Sequence, residues 1–246
     1  MTKPMIYAAN WKMCLSLSQA AQFAKNNTIA LAQLAQHSTI ILCPSATAIH
    51  AVHSACSATG ISIAGQNCSA HITGAFTGQV AAIDLAAAGA TYCIVGHSEC
   101  RKYNNESAAL VAEKTLRITE AMMTPIICIG ETADEFEAHN TEKSLDAQLN
   151  PVLAALATIS SQAIIIAYEP VWAIGTGKVP SQEILKACFL YLSKKIALNK
   201  HEITLLYGGS VTSQNAPSLK SIPFLDGFLI GGASLDFQEF KKIVEC

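Results

Sequence analysis

Charge is scarce in this sequence. Only 14% of its 246 residues are Asp, Glu, Lys or Arg, against about 25% in an ordinary globular chain, while 51% are apolar. A disordered chain or a nucleic-acid scaffold needs the opposite balance. Sixteen basic and eighteen acidic residues leave a formal charge of −2, with no run of like sign, so neither a polyanion nor an acidic membrane surface meets a basic stripe. No stretch approaches about 18 uninterrupted apolar residues. The opening MTKPMIYAANWK turns polar too early for the apolar region of a secretory signal. These absences predict a soluble, cytoplasmic protein with no nucleic-acid partner and no membrane partner. Cysteine is not lacking, since there are nine, but C-x-x-C pairs are. The odd, scattered set reads as reduced thiols that mostly fill the core.

Short β-branched runs recur at intervals of very roughly 30 residues: Met5 to Ala9, Thr39 to Cys43, Ile61 to Ala64, Thr91 to Val95, Pro125 to Ile129, Ala163 to Tyr168, Ile203 to Tyr207 and Gly227 to Ile230. Runs such as IILC, IIC and IIIAY are apolar on both faces, which suits buried parallel strands. Helix-like stretches rich in Ala, Leu, Gln, Glu and Lys lie between them, among them Ser18 to Ala35, Glu106 to Thr119, Asp134 to Ala157 and Gln182 to Ala197. Strand then helix, eight times, without a linker or a break in composition, predicts one α/β domain over residues 1–246, a closed (β/α)8 barrel. An open, doubly wound sheet is the alternative architecture.

The chemically distinctive residues fall at the carboxyl ends of these runs, where barrels of this kind build their sites. Asn10 and Lys12 follow the first, Gly96-His97-Ser98-Glu99 the fourth, Glu169-Pro170 the sixth, Gly208-Gly209-Ser210 the seventh and Gly231-Gly232 the eighth. Two glycine loops on consecutive late strands present backbone amides unobstructed by a Cβ, a cradle for one phosphate, although a lone Gly-Gly after a strand is more often a tight turn. Glu169 ends the run AIIIAYEP, and a carboxylate withdrawn from water behind bulky apolar residues is a stronger base. The following segment, Pro170 to Lys178 (PVWAIGTGK), carries apolar side chains between stiff and flexible residues, as a lid that excludes water would. No second His or Cys stands at ligand spacing from His97, so no metal site is expected. Base, hydrogen-bond donor, cation, phosphate cradle and lid together describe proton abstraction beside a carbonyl.

In order and along essentially the whole chain, AANWKM, AGQNCSAHITGAFTGQ, IVGHSECR, CIGET, AYEPVWAIGTGK, YGGS and DGFLIGGASL resemble the triosephosphate isomerase family. The resemblance implies a cofactor-free enzyme of glycolysis and gluconeogenesis. It would interconvert D-glyceraldehyde 3-phosphate and dihydroxyacetone phosphate, and would usually form a homodimer. It makes Glu169 the base and His97 the neutral imidazole donor. Lys12 becomes the cation beside the developing enediolate, with Asn10 positioning that site. Gly175, Ser210, Gly231 and Gly232 become amide donors to the phosphate once the lid closes, Glu99 a support for Lys12 or a late proton acceptor, and the loop Gln66 to Gln79 the segment inserted into a partner near Cys14.

Four departures from the family pattern accompany the likeness. Pro180 replaces a small residue at the lid's trailing hinge, whose amide in relatives meets the hydroxyl of the tyrosine matching Tyr207; proline has no amide hydrogen, so closure is expected to depend more on Ser210 meeting the lid near Gly177. Phe189 and Phe224 stand where relatives place an Arg and Asp pair, with an aromatic contact the expected substitute. Cys14-Leu15 replaces Asn-Gly near the expected interface, and Gln79 replaces Glu. Two rival functions fit the same barrel: a Schiff-base aldolase using Lys12 as nucleophile, and a sugar-phosphate binding protein without catalysis.

Overall fold

The structure is a computed structural model that describes residues 3–197 and 199–246. Eight strands, β1 Ile6–Asn10, β2 Thr39–Cys43, β3 Ser62–Gly65, β4 Tyr92–Val95, β5 Thr124–Ile129, β6 Ala163–Tyr168, β7 Glu202–Tyr207 and β8 Gly227–Ile230, pair in parallel and in sequence order until β8 returns to β1. The sheet is a closed (β/α)8 barrel, and the open, doubly wound alternative is thereby set aside.

Burial on both faces explains the continuous apolar runs. Ile6 and Ala8, Ile41 and Cys43, Ile165 and Ala167, Leu206 and Leu229 fill the lumen. Their neighbours Tyr7, Ala9, Ile40, Leu42, Ile164 and Ile166 pack outward against the helices. Side chains alternate with a period of two, so the residue two beyond the last luminal position rises at the barrel mouth. That parity selects Asn10 after Ala8, Glu169 after Ala167, Gly208 after Leu206 and Gly231 after Leu229.

The ring of helices runs α1 Leu17–Leu34, α2 Ile49–Ala55, α3 Ala82–Ala87, α4 Ser98–Tyr103, α5 Ala108–Glu120, α6 Ala133–Glu137, α7 Thr141–Leu156, α8 Gln182–Ile196, α9 Ala216–Lys220 and α10 Phe237–Glu245. Their starts are written in polar residues. Ser16 and Gln19 form a reciprocal capping box on α1, Thr132 and Glu135 another on α6, and Ser181 caps α8 immediately after Pro180.

Two expectations need correction. The stretch from Asp134 to Ala157 is two helices, because His139 adopts a left-handed φ of 56° that ends α6 before Asn140 opens α7. The aromatic contact expected between Phe189 and Phe224 does not form. Phe189, on the inward face of α8, meets Tyr168 edge-on at 6.1 Å. Phe224 occupies a left-handed turn position, φ 66°, with its ring half in solvent.

Candidate active site

Asn10 closes β1, and its Oδ1 accepts the Lys12 backbone N–H at 3.1 Å. Lys12 holds φ at 51°, a left-handed conformation that costs a non-glycine residue roughly 1–3 kcal/mol. Its carbonyl accepts from Gln66 Nε2 at 2.7 Å, and the same amide nitrogen donates to the Cys43 carbonyl at 2.9 Å. The strained turn is thus held from both sides. Lys12 Nζ reaches Glu99 Oε1 at 2.6 Å. Both side chains are partly open to solvent, so the pair aims the ammonium more than it stabilises the fold.

His97 caps α4, its Nδ1 accepting the Glu99 backbone N–H at 3.2 Å. With Nδ1 accepting, Nε2 is the ring nitrogen left to donate into the cleft. The Glu99 carboxylate, at 3.8 Å from Nδ1, is beyond hydrogen-bond reach. Nε2 faces Glu169 Oε1 at 3.4 Å, while Glu169 Oε2 lies 3.5 Å from the Ser98 N–H. Both separations sit at the long limit for hydrogen bonds. The carboxylate is therefore buried, at 2% exposure, yet loosely held. Gly208 leaves it room: a Cβ there would stand 2.6 Å from Glu169 Cγ. Cys128 also approaches Glu169, and burial, reinforced by that carboxylate, pushes its thiol well up.

Three supporting residues escaped the sequence reading. Arg101 donates through Nε to the Gly96 carbonyl at 2.8 Å and through Nη2 to the Cys128 carbonyl at 3.0 Å, tying the ends of β4 and β5 beneath His97. Burial pulls this guanidinium below its ordinary value, against the opposing influence of Cys128, Glu106 and Glu169. Gln66 is the second. Glu131 is the third: fully buried, it accepts Tyr168 Oη–H at 3.1 Å and Trp172 Nε1–H at 2.9 Å on one oxygen. Burial raises its carboxyl above the usual range and those two bonds partly oppose the rise. The motif CIGET contains Glu131, but nothing local in the sequence signals a partner 41 residues away.

At the other end of the mouth, Gly231 leads into a short 3-10 turn, Gly232–Leu235, closed by Ser234 N–H to the Gly231 carbonyl at 2.9 Å. The first amides of such a turn have no partner within it. No neighbouring element lies within 4 Å of where a Cβ would stand at Gly175, Gly177 or Gly232. Ser210 Oγ donates to the Ala173 carbonyl at 2.7 Å, meeting the loop near its leading end and not at Gly177. Tyr207 Oη is buried with no hydrogen-bond partner, and burial raises the phenol.

All eight residues singled out in the sequence, Asn10, Lys12, His97, Glu169, Gly175, Ser210, Gly231 and Gly232, line one cleft of about 280 Å³. A carboxylate, an imidazole and an ammonium stand at one end, and glycine-rich amides at the other. The arrangement suits a small anion-bearing carbonyl compound.

A sequence profile described as triosephosphate isomerase matches residues 5–246. Among curated relatives, the triosephosphate isomerase of Dichelobacter nodosus is 43% identical over 249 residues, covering 100% of this chain and 99% of its own. That of Buchnera aphidicola subsp. Schizaphis graminum is 36% identical over 247 residues, covering 99% and 97%. The crystal structure of triosephosphate isomerase from Bartonella henselae superposes with a TM-score of 0.85 at 30% identity, over 99% of this chain and 98% of that one. Fold, cleft and likeness along the full length agree, and the chain belongs to the triosephosphate isomerase family.

Proposed function

We propose that this chain interconverts D-glyceraldehyde 3-phosphate and dihydroxyacetone phosphate by moving one proton between adjacent carbons, a step of glycolysis and gluconeogenesis. Glu169 takes the proton from the carbon beside the carbonyl. The C–H electron pair becomes the C=C bond of an enediolate, and the carbonyl π pair moves onto oxygen. His97 Nε2–H and the Lys12 ammonium stabilise that oxygen; Asn10 holds the Lys12 turn. The hydroxyl proton passes from one enediolate oxygen to the other by way of His97 Nε2; Glu169 then returns its proton to the neighbouring carbon, the C=C pair forming the new C–H bond and the pair on the newly deprotonated oxygen forming the new carbonyl, so atoms and electrons balance without a cofactor. The phosphate rests on amides of Gly175, Ser210, Gly231 and Gly232, and the loop 170–178 closes over it. Holding the phosphate also limits its loss by β-elimination from the enediolate.

The observation that carries this reading is the pairing of a buried, loosely held carboxylate with an imidazole whose Nε2 lies 3.4 Å from it. The Schiff-base alternative is disfavoured by Lys12 itself, whose amine is ion-paired at 2.6 Å and partly open to water, where a nucleophilic lysine needs a desolvated, free amine. A coupled isomerisation assay tests the proposal: Glu169→Ala is expected to cost about a thousandfold or more in kcat with the fold intact. Activity within tenfold of wild type would refute it.

The same reading includes a homodimer through the loop 66–79 and residence in the cytoplasm. Supporting the first, the loop presents Ile72 and a stacked His71–Phe76 pair to solvent, and Met13 beside the neighbouring cleft is 94% exposed. Consistent with the second, no helix among the described residues is long and apolar enough to cross a membrane.

A further inference from the structure

The amides assigned to the phosphate come from loops on different strands, and the sheet does not join the last two of them. The ladder between β7 and β8 ends at Tyr207 with Phe228, before either glycine pair. Beyond it the segment 208–216 leads into α9 and the segment 231–240 into α10. Each is braced within itself. Asn215 Oδ1 accepts the Thr212 N–H at 2.9 Å, and Asn215 Nδ2 donates to the Ser210 carbonyl at 3.1 Å, closing the first loop. In the second, the Ser234 N–H and O–H both turn back to the Gly231 carbonyl. Asp236 Oδ1 then accepts the N–H groups of Gln238 and Glu239 at 2.8 and 3.0 Å and starts α10. Among the described residues, one side chain alone hydrogen-bonds from one segment to the other. Glu239, in the first turn of α10, takes the Ser213 N–H on Oε1 at 2.7 Å and the Ser213 O–H on Oε2 at 3.0 Å. Both residues are half-buried. Two bonds to the two oxygens of one carboxylate fix orientation as well as distance.

We propose that Glu239 is a positioning residue for the substrate phosphate: by holding Ser213 it sets the Ser210 amide against those of Gly231 and Gly232, so that one phosphate meets both loops. The inference rests on the reading of these loops as the phosphate cradle. Neither Glu239 nor Ser213 lines the cleft, so each acts on the ligand only through the loop. Without the carboxylate, Ser213 loses both acceptors, and the loop 210–215 keeps its Asn215 brace but shifts as a unit against the Gly231 turn. An entering phosphate must then order the loop, and binding bears that entropy. The groups beside Glu169 and His97 are left as they were. An acid removed from near an anion site favours the anion by Coulomb attraction. Charge and positioning therefore predict opposite signs for the same substitution.

The test compares wild type, Glu239→Ala, Glu239→Gln and Glu169→Ala. Inorganic phosphate is titrated into each protein and its Kd read by phosphorus NMR, while KM and kcat come from the coupled isomerisation assay. Glu239→Ala is expected to raise the Kd for phosphate and the KM for triose phosphate by the same factor, about three- to tenfold, the scale of one net hydrogen bond. Its kcat should stay within about twofold of wild type, as for a lost binding contact. Glu239→Gln should restore both affinities, since its amide oxygen accepts the Ser213 N–H and its amide nitrogen donates to Ser213 Oγ. A general loss of stability would reduce the active fraction, lowering kcat and leaving both affinities unmoved. Phosphate bound by Glu239→Ala as tightly as by wild type, or more tightly, overturns the proposal, and so does a Glu239→Gln variant as weak as Glu239→Ala. A wild type that binds phosphate without isomerising, or full isomerisation by Glu169→Ala, would instead overturn the functional reading beneath it, and the phosphate titrations would still decide the role of Glu239.

Discussion

Lys12 shows how this chain uses strain. Its left-handed backbone persists because Asn10 and Gln66 take up the N–H and carbonyl of the turn, and the ammonium is delivered to the mouth beside His97. His97 is oriented by a single backbone bond at the start of α4, which occupies Nδ1 and leaves Nε2 facing the cleft. The chain treats Tyr207 otherwise. Its hydroxyl is buried and unpaired, and Pro180 offers no N–H. A group without a bond in the structure has little to lose, so Tyr207→Phe should slow turnover by well under the tenfold that about 1.4 kcal/mol represents, and thermal stability should hold or rise. A tenfold loss in steady-state kinetics would show that the hydroxyl finds a partner during the cycle.

Among elements, the junction of β5 and β6 sets the place of the base. The two strands are in register from Ile126 with Ile165 to Ile129 with Tyr168, and Glu169 N–H continues the ladder to the Ile129 carbonyl at 2.8 Å. They close so tightly that a Cβ at Gly130 would lie 1.8 Å from the Glu169 carbonyl oxygen. Gly130→Ala therefore forces the strand ends apart. Chemical denaturation should show a loss of about 3 kcal/mol or more, at the upper end for single substitutions, and kcat should fall as Glu169 is displaced. A variant of wild-type stability and activity would contradict this account of the junction.

These strands were legible within a residue or two because burial on both faces leaves a continuous apolar run bounded by polar or glycine residues. The break between α6 and α7 was not. Its helix-favouring composition runs on through Glu137, and only the left-handed backbone of His139 interrupts it. The Phe189 and Phe224 substitutions misled for a related reason: neighbourhood in a family pattern does not fix which way a turn residue such as Phe224 points.

For the whole molecule, the eight proposed site residues meet in one cleft because the closed barrel brings strand ends from distant sequence to one mouth. Gln66, Arg101 and Glu131 could not be found from the sequence, since each acts on a partner reached only through the closed fold. The proposed dimer would use the exposed loop 66–79. Sedimentation at micromolar concentration is expected to give about twice the 26.0 kDa of one chain. Cys14 and Cys246 are the exposed thiols, while burial pushes Cys56 and Cys100 up to about 11. If the loop covers the partner's Cys14 position, native protein should show one fast-reacting thiol per chain; two fast thiols and a monomer mass would contradict the dimer.

The central claim is that a carboxylate, Glu169, carries a proton through an enediolate, and turnover in D2O tests it most directly. Mass spectrometry of the isomerised triose phosphate should find solvent deuterium on the carbon that receives the proton, and Glu169→Ala should abolish that incorporation together with turnover. Product free of deuterium in the wild type, or incorporation undiminished in Glu169→Ala, would contradict the account.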